Sequence, residues 1–137
     1  MSTTIRRGHA GSALLDAMIS VVIFSVGILG VVKLQSAAIT FSTDAKYRAD
    51  AALLTDALIG EMWGASQATL AARFSGNAGS GGERYVAWNA RVAQLPSGVG
   101  TVTVAGDGAV DVTVSWKAPG DASGDPHRYV SSTRIQH

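Results

Sequence analysis

Asp16 is the residue whose chemistry most needs an explanation. It follows Arg6-Arg7-Gly8-His9-Ala10-Gly11-Ser12-Ala13-Leu14-Leu15 and stands immediately before an uncharged segment, Ala17 to Val32. An ionised carboxylate in a membrane-length apolar run costs about 2.5 to 3.5 kcal/mol on insertion scales, so it calls for a cationic partner. The other titratable groups suggest less. His9 lies in the basic leader, His127 follows Pro126 in a loop and His137 is the last residue, so no histidine is set on a rigid element beside a nucleophile. Enzymatic activity is therefore not expected. Asp121, Asp125 and His127 have no recognised ligand spacing, and solvated loop polarity accounts for them; neither a metal nor a cofactor is expected. Gly11-Ser12 and Gly27-Ile28-Leu29-Gly30 carry glycine without a phosphate-cradling pattern. Within an apolar helix, Gly27 and Gly30 instead suit close helix approach or local bending.

Composition bounds what can position these residues. With 137 residues, 47% hydrophobic and only 15% charged, the chain has room for one membrane-associated segment and one small domain. A net charge of +1 without a cluster of Lys and Arg excludes the usual footprint of a nucleic-acid binder. The absence of cysteine rules out a disulfide framework and is compatible with either redox compartment.

The apolar run is flanked by Arg6 and Arg7 before and Lys33 after, and Ser12 to Leu15 extend it toward the ~20 residues that span a bilayer. The basic leader places the N-terminus in the cytoplasm by the positive-inside rule, with the remainder in the periplasm or outside. Beyond Lys33 the helical pattern continues: Tyr47, Ala51, Leu54, Leu58 and Met62 recur at three- and four-residue steps, with Lys46, Arg48, Asp50, Asp56 and Glu61 on other faces. One continuous helix from Ser12 to about Trp63 is the economical solution. The cluster Gly76-Asn77-Ala78-Gly79-Ser80-Gly81-Gly82 predicts a loop or a flexible linker. Tyr85 to Leu95 fits a short helix or a strand, stopped by Pro96 and Gly98. Gly100 to Ala105 and Val110 to Lys117 alternate as strands about a Gly106-Asp107-Gly108 hairpin turn. A third strand, Arg128 to Ile135, follows the loop Ala118 to His127 with its Pro119, Gly120, Gly124 and Pro126. Three antiparallel strands leave one apolar face to cover, and the amphipathic half of the helix can cover it. The expected fold is α+β, with Trp63, Trp88 and Trp116 in the core.

The order of basic leader, Gly11, the neutral tetrapeptide Ser12-Ala13-Leu14-Leu15, Asp16 and apolar helix resembles the class III signal of type IV pilins and their relatives. Ser25-Val26-Gly27-Ile28-Leu29-Gly30 followed by Leu34-Gln35 is similar to the helix pattern of minor pilins of the PilV type, the type IV pilus modification proteins. Val112-Thr113-Val114-Ser115-Trp116 and Arg128-Tyr129-Val130 are similar to that group too. The likeness covers the N-terminal third well and the rest loosely.

The resemblance implies a pilin-like fold, with a long helix, transmembrane in its N-terminal half, packed on a small antiparallel sheet. It implies a leader at 1–11, a transmembrane and assembly helix at 12–36 and a periplasmic domain at 37–137. Prepilin peptidase would cut after Gly11, Ser12 would become the N-methylated terminus, and Asp16 would set assembly register. The partners implied are that peptidase, the major pilin, other minor pilins and the inner-membrane pilus assembly machinery. Two residues depart from the family pattern: Ser12 stands where phenylalanine is usual, and Asp16, shorter by one methylene, where glutamate is usual. A type II secretion pseudopilin shares the leader and helix. A conventionally secreted binding domain would instead use Ser36-Ala37-Ala38 as its cleavage site and begin near Ile39. A membrane-anchored enzyme would need catalytic residues in the C-terminal domain, where none stands out.

Overall fold

The computed structural model describes residues 10–120 and 124–136. Arg6, Arg7, Gly8, His9, Asp121 and His137 lie outside the described residues. The chain divides into two compact units, one ending at Thr40 and the other running from Phe41 to His137. The element order is α1 (Ala10–Trp63), α2 (Gln67–Phe74), β1 (Gly76–Asn77), β2 (Ser80–Gly81), α3 (Glu83–Val92), β3 (Val99–Val104), β4 (Ala109–Trp116) and β5 (His127–Arg134). This is an α+β arrangement with a long apolar N-terminal helix and a small antiparallel sheet.

The described residues of the first unit all belong to α1. Its run from Ala17 to Val32 has no helix-breaking proline, and one of its two serine hydroxyls bonds within the helix. Ser25 donates to the Val21 carbonyl at 2.7 Å, and beyond the run Thr40 donates to that of Ser36 at 3.1 Å.

The second unit is built on the part of α1 from Phe41 onward. Ala51, Leu58 and Met62 are buried at the predicted spacing, with Tyr47 and Leu54 packed against the same core. α1 stops at Gly64, whose N–H bonds the Glu61 carbonyl at 3.2 Å, and α2 then folds Leu70 and Phe74 into the core. The sequence pattern does not anticipate α2. α3 settles the choice left open for Tyr85 to Leu95: it is a helix, burying Tyr85, Trp88 and Val92. Glu83 in its first turn and Arg91 in its last each complement the helix dipole.

The sheet has the order β2-β1-β3-β4-β5, all neighbours antiparallel. It therefore has five strands where the sequence predicts three. The difference lies in the glycine cluster: Gly76 and Asn77 pair with Val102 and Thr101, and Ser80 and Gly81 pair back on Asn77 and Gly76. Glycine is required because a Cβ at Gly76 would come within 2.1 Å of the Tyr85 ring. The cluster is neither a free loop nor a linker. β4 alternates as expected, with Val110, Val112, Val114 and Trp116 buried. The hairpin between β3 and β4 turns at Gly108, whose φ of +80° suits glycine, and Asp107 Oδ1 accepts the Ala109 N–H at 3.1 Å.

Trp88 and Trp116 are fully buried, but Trp63 is 47% exposed and is not part of the core. The cause is rotation along α1: Met62 occupies the buried stripe, and the next residue is turned about 100° away from it.

Candidate assembly helix

Gly11, Ser12 and Asp16 fall within the opening turns of α1. They are brought together by helical spacing alone. Asp16 is exposed, and among the described residues it makes no ion pair. Lys33, the next charged residue, is about 25 Å along the helix at ~1.5 Å per residue, too far to neutralise it. The described chain therefore supplies no cation to the carboxylate.

The apolar surface that follows is equally uncovered. Leu14, Val22, Phe24, Leu29 and Leu34 each retain between 61% and 73% of their accessible surface. Among the described residues, α1 is the one helix long and apolar enough to cross a membrane. Gly27 and Gly30 lie one turn apart, and a Cβ at either would meet nothing within 4 Å. Their lack of a side chain is thus not demanded by any contact within the chain. It leaves a shallow notch through which another helix can approach closely.

The charged contacts of the second unit are of another kind. Glu61 on α1 lies 3.7 Å from Arg84 and 3.5 Å from Arg91, so two side chains of α3 converge on one carboxylate. Arg73 on α2 pairs with Glu83 on α3 at 3.1 Å. Asp44 Oδ1 on α1 lies 3.3 Å from His127 Nδ1, and the His127 ring stacks on Trp116 with 16° between planes and 5.7 Å between centroids. His127, expected in a loop, is the first residue of β5 and pairs across the sheet with Trp116. These contacts join residues far apart in sequence, and no local motif announces them. Only the positions of Asp44 and Glu61 beside the apolar stripe of α1 could have marked them as candidates for contact.

An open groove of about 480 Å³ between α1 and α3 has Leu53, Leu54 and Leu95 along it, with Asp50 and Arg91 at its sides. It holds no nucleophile with an adjacent base. Among the described residues no group of three His, Cys, Asp or Glu side chains is placed to hold a metal ion.

The chain shows no significant match to any family model, curated protein or solved structure. What it can do is therefore argued from its own residues: an isolated acid, an uncovered apolar helix and two glycines that open one side of it.

Proposed function

We propose that this chain is a minor pilin, a non-enzymatic subunit that primes or modifies the assembly of a type IV pilus. One observation carries the proposal. The Gly11-Ser12 bond and Asp16 stand at the head of a single helix, α1, which is uncovered in its first part and supplies the core of a small α+β domain in its second. A subunit that must leave lipid and pack among identical or related helices needs that combination.

In this scheme the precursor sits in the inner membrane with its N-terminus in the cytoplasm and its C-terminal domain in the periplasm. Prepilin peptidase cuts after Gly11, and Ser12 becomes the N-methylated terminus. The assembly machinery then moves the helix from lipid into a bundle with the major pilin and other minor pilins. Both surroundings are apolar, so the transfer does not expose the Leu, Ile, Val and Phe side chains of α1 to water. Asp16 meets the freed amine of a neighbouring subunit. A buried pair of this kind gains Coulomb attraction but pays desolvation, so its contribution is to fix axial register more than to add stability. Gly27 and Gly30 allow the neighbouring helix to come close.

The first test is N-terminal mass spectrometry of the processed protein recovered from membranes. The expected terminus is N-methylated Ser12; a terminus near Ile39 would establish conventional secretion instead. Asp16→Ala should be processed normally yet be missing from sheared filaments. Incorporation at the wild-type level would refute the register role.

A further inference from the structure

The charges at the two ends of the apolar run set its length. From Ala17 to Val32 an α-helix rises about 24 Å, whereas the hydrocarbon core of a typical bilayer is about 30 Å thick. Asp16 closes the run at one end and Lys33 at the other, and both are exposed. The two ends differ in how far they can give. A lysine carries its charge on a four-carbon stem and can draw its Cα below the interface, while an aspartate has a single methylene and cannot. Neither end therefore makes up the full shortfall: Asp16 cannot yield, and Lys33 yields only by the length of its stem.

Apolar surface does not stop where the charge does. Leu34 and Ile39 remain 73% and 67% exposed, with Ala37 and Ala38 exposed between them. Among the described residues of the first unit, Lys33 is the one charge that stands between the run and this second stretch, whose other polar residues, Gln35 and Ser36, are uncharged. Lys33 is thus the residue that holds the span short.

Resting on the proposal that α1 crosses a membrane, we infer that its surface is matched to a lipid layer thinner than the ordinary bilayer, and that Lys33 sets this match. The partner is the hydrocarbon layer itself. In a thicker layer the lipid must thin around each helix, and neighbouring helices share that deformation when they cluster. Bilayer thickness then governs how readily the subunits gather in the membrane.

The test uses the full chain, which has no cysteine, labelled with a donor or acceptor at a single introduced cysteine in the C-terminal domain. It is reconstituted at one low protein-to-lipid ratio into phosphatidylcholine vesicles with myristoleoyl, oleoyl or erucoyl chains. Energy transfer should report an associated fraction that rises about three-fold or more from the shortest to the longest chains. Lys33→Leu should flatten this dependence, since it lets the span continue past Val32. Association that is equal in all three lipids would overturn the inference and would point to direct helix contact as the cause. A Lys33→Leu variant that follows the wild-type curve would overturn the role of Lys33. Release of the protein from every vesicle by alkaline carbonate would instead show that α1 does not span, a failure of the underlying proposal that is distinct from an integral protein indifferent to thickness.

Discussion

The two parts of α1 share one secondary structure and differ in nearly everything that stabilises it. Before Thr40 the helix is apolar on every side, and its described side chains are exposed. After Phe41 only one stripe is apolar, and Ala51, Leu58 and Met62 on that stripe have no exposed surface at all. The charged residues are distributed accordingly. In the first part they stand at the limits of the apolar run, whereas in the second they lie along it and contact other elements, as Glu61 does with Arg84 and Arg91. A helix that is apolar all round requires an environment from outside the chain, and an amphipathic one requires only its own domain. The junction between these two regimes falls at Thr40 and Phe41, after the exposed Ile39 and before Tyr47, the first residue of α1 packed against the core.

The comparison can be broken most severely from the domain side. Trp88 is fully buried, and its Nε1 donates to the Leu54 carbonyl on α1 at 2.8 Å, so it ties α3 to the amphipathic half of the long helix. Trp88→Ala should cost about 3 to 5 kcal/mol, from lost apolar burial and the cavity left behind. Urea unfolding of the full chain in detergent, followed by near-ultraviolet circular dichroism, measures this loss. Membrane insertion should not change, because none of the residues before Thr40 contributes to that core. A Trp88→Ala protein that also failed to insert would mean that the two halves of α1 are not energetically separate.

A smaller effect is expected at Gly100, where β3 meets α3. Its carbonyl accepts the Tyr85 hydroxyl at 2.8 Å, its N–H bonds Asn89 Oδ1 at 3.0 Å, and a Cβ there would lie 2.3 Å from the Trp88 ring. Gly100→Ala must push the indole or the strand aside, at about 1 to 3 kcal/mol. The same unfolding measurement checks it, and unchanged stability would show that α3 can shift freely on the sheet.

Gly100 also illustrates what could be read from the sequence. A glycine at the head of an alternating strand signals a close approach, but nothing local says that Trp88 is what approaches. The long helix, the hairpin and β4 were legible because each repeats its period over many residues, from Tyr47 to Met62 and from Val110 to Trp116. β1 and β2 were not, being two residues each and made largely of glycine, which carries no periodicity. Trp63 has the size of a core residue but not the phase: the steps from Tyr47 through Met62 put it off the buried stripe. At the candidate site, the positions of Gly11 and Asp16 are visible in the sequence, and that no cation among the described residues lies beside Asp16 required the structure. The contact of Asp44 with His127 joins residues on different elements, and neither lies in a motif.

The mildest prediction sharpens the comparison, because it strengthens one half of α1 without touching the other. Thr55 is the buried polar residue on the stripe of α1, with no exposed surface, and its hydroxyl oxygen has no hydrogen-bond partner among the described residues. A buried hydroxyl left unpaired loses its hydration and recovers nothing. Valine has nearly the same shape and the same β-branching, so Thr55→Val should open no cavity and change helix propensity little. The expected gain is about 1 kcal/mol, which for a domain of this size is a rise in Tm of about 4 to 8 °C. A scan of the full chain in detergent measures it. If Tm falls or stays constant, the hydroxyl has a partner that the protein chain alone does not provide, and the stripe of α1 is less dry than its burial implies. If Tm rises while assembly is unimpaired, the apolar stripe after Phe41 serves the domain alone. What α1 does with other molecules then falls to its exposed surfaces, above all the apolar one before Thr40.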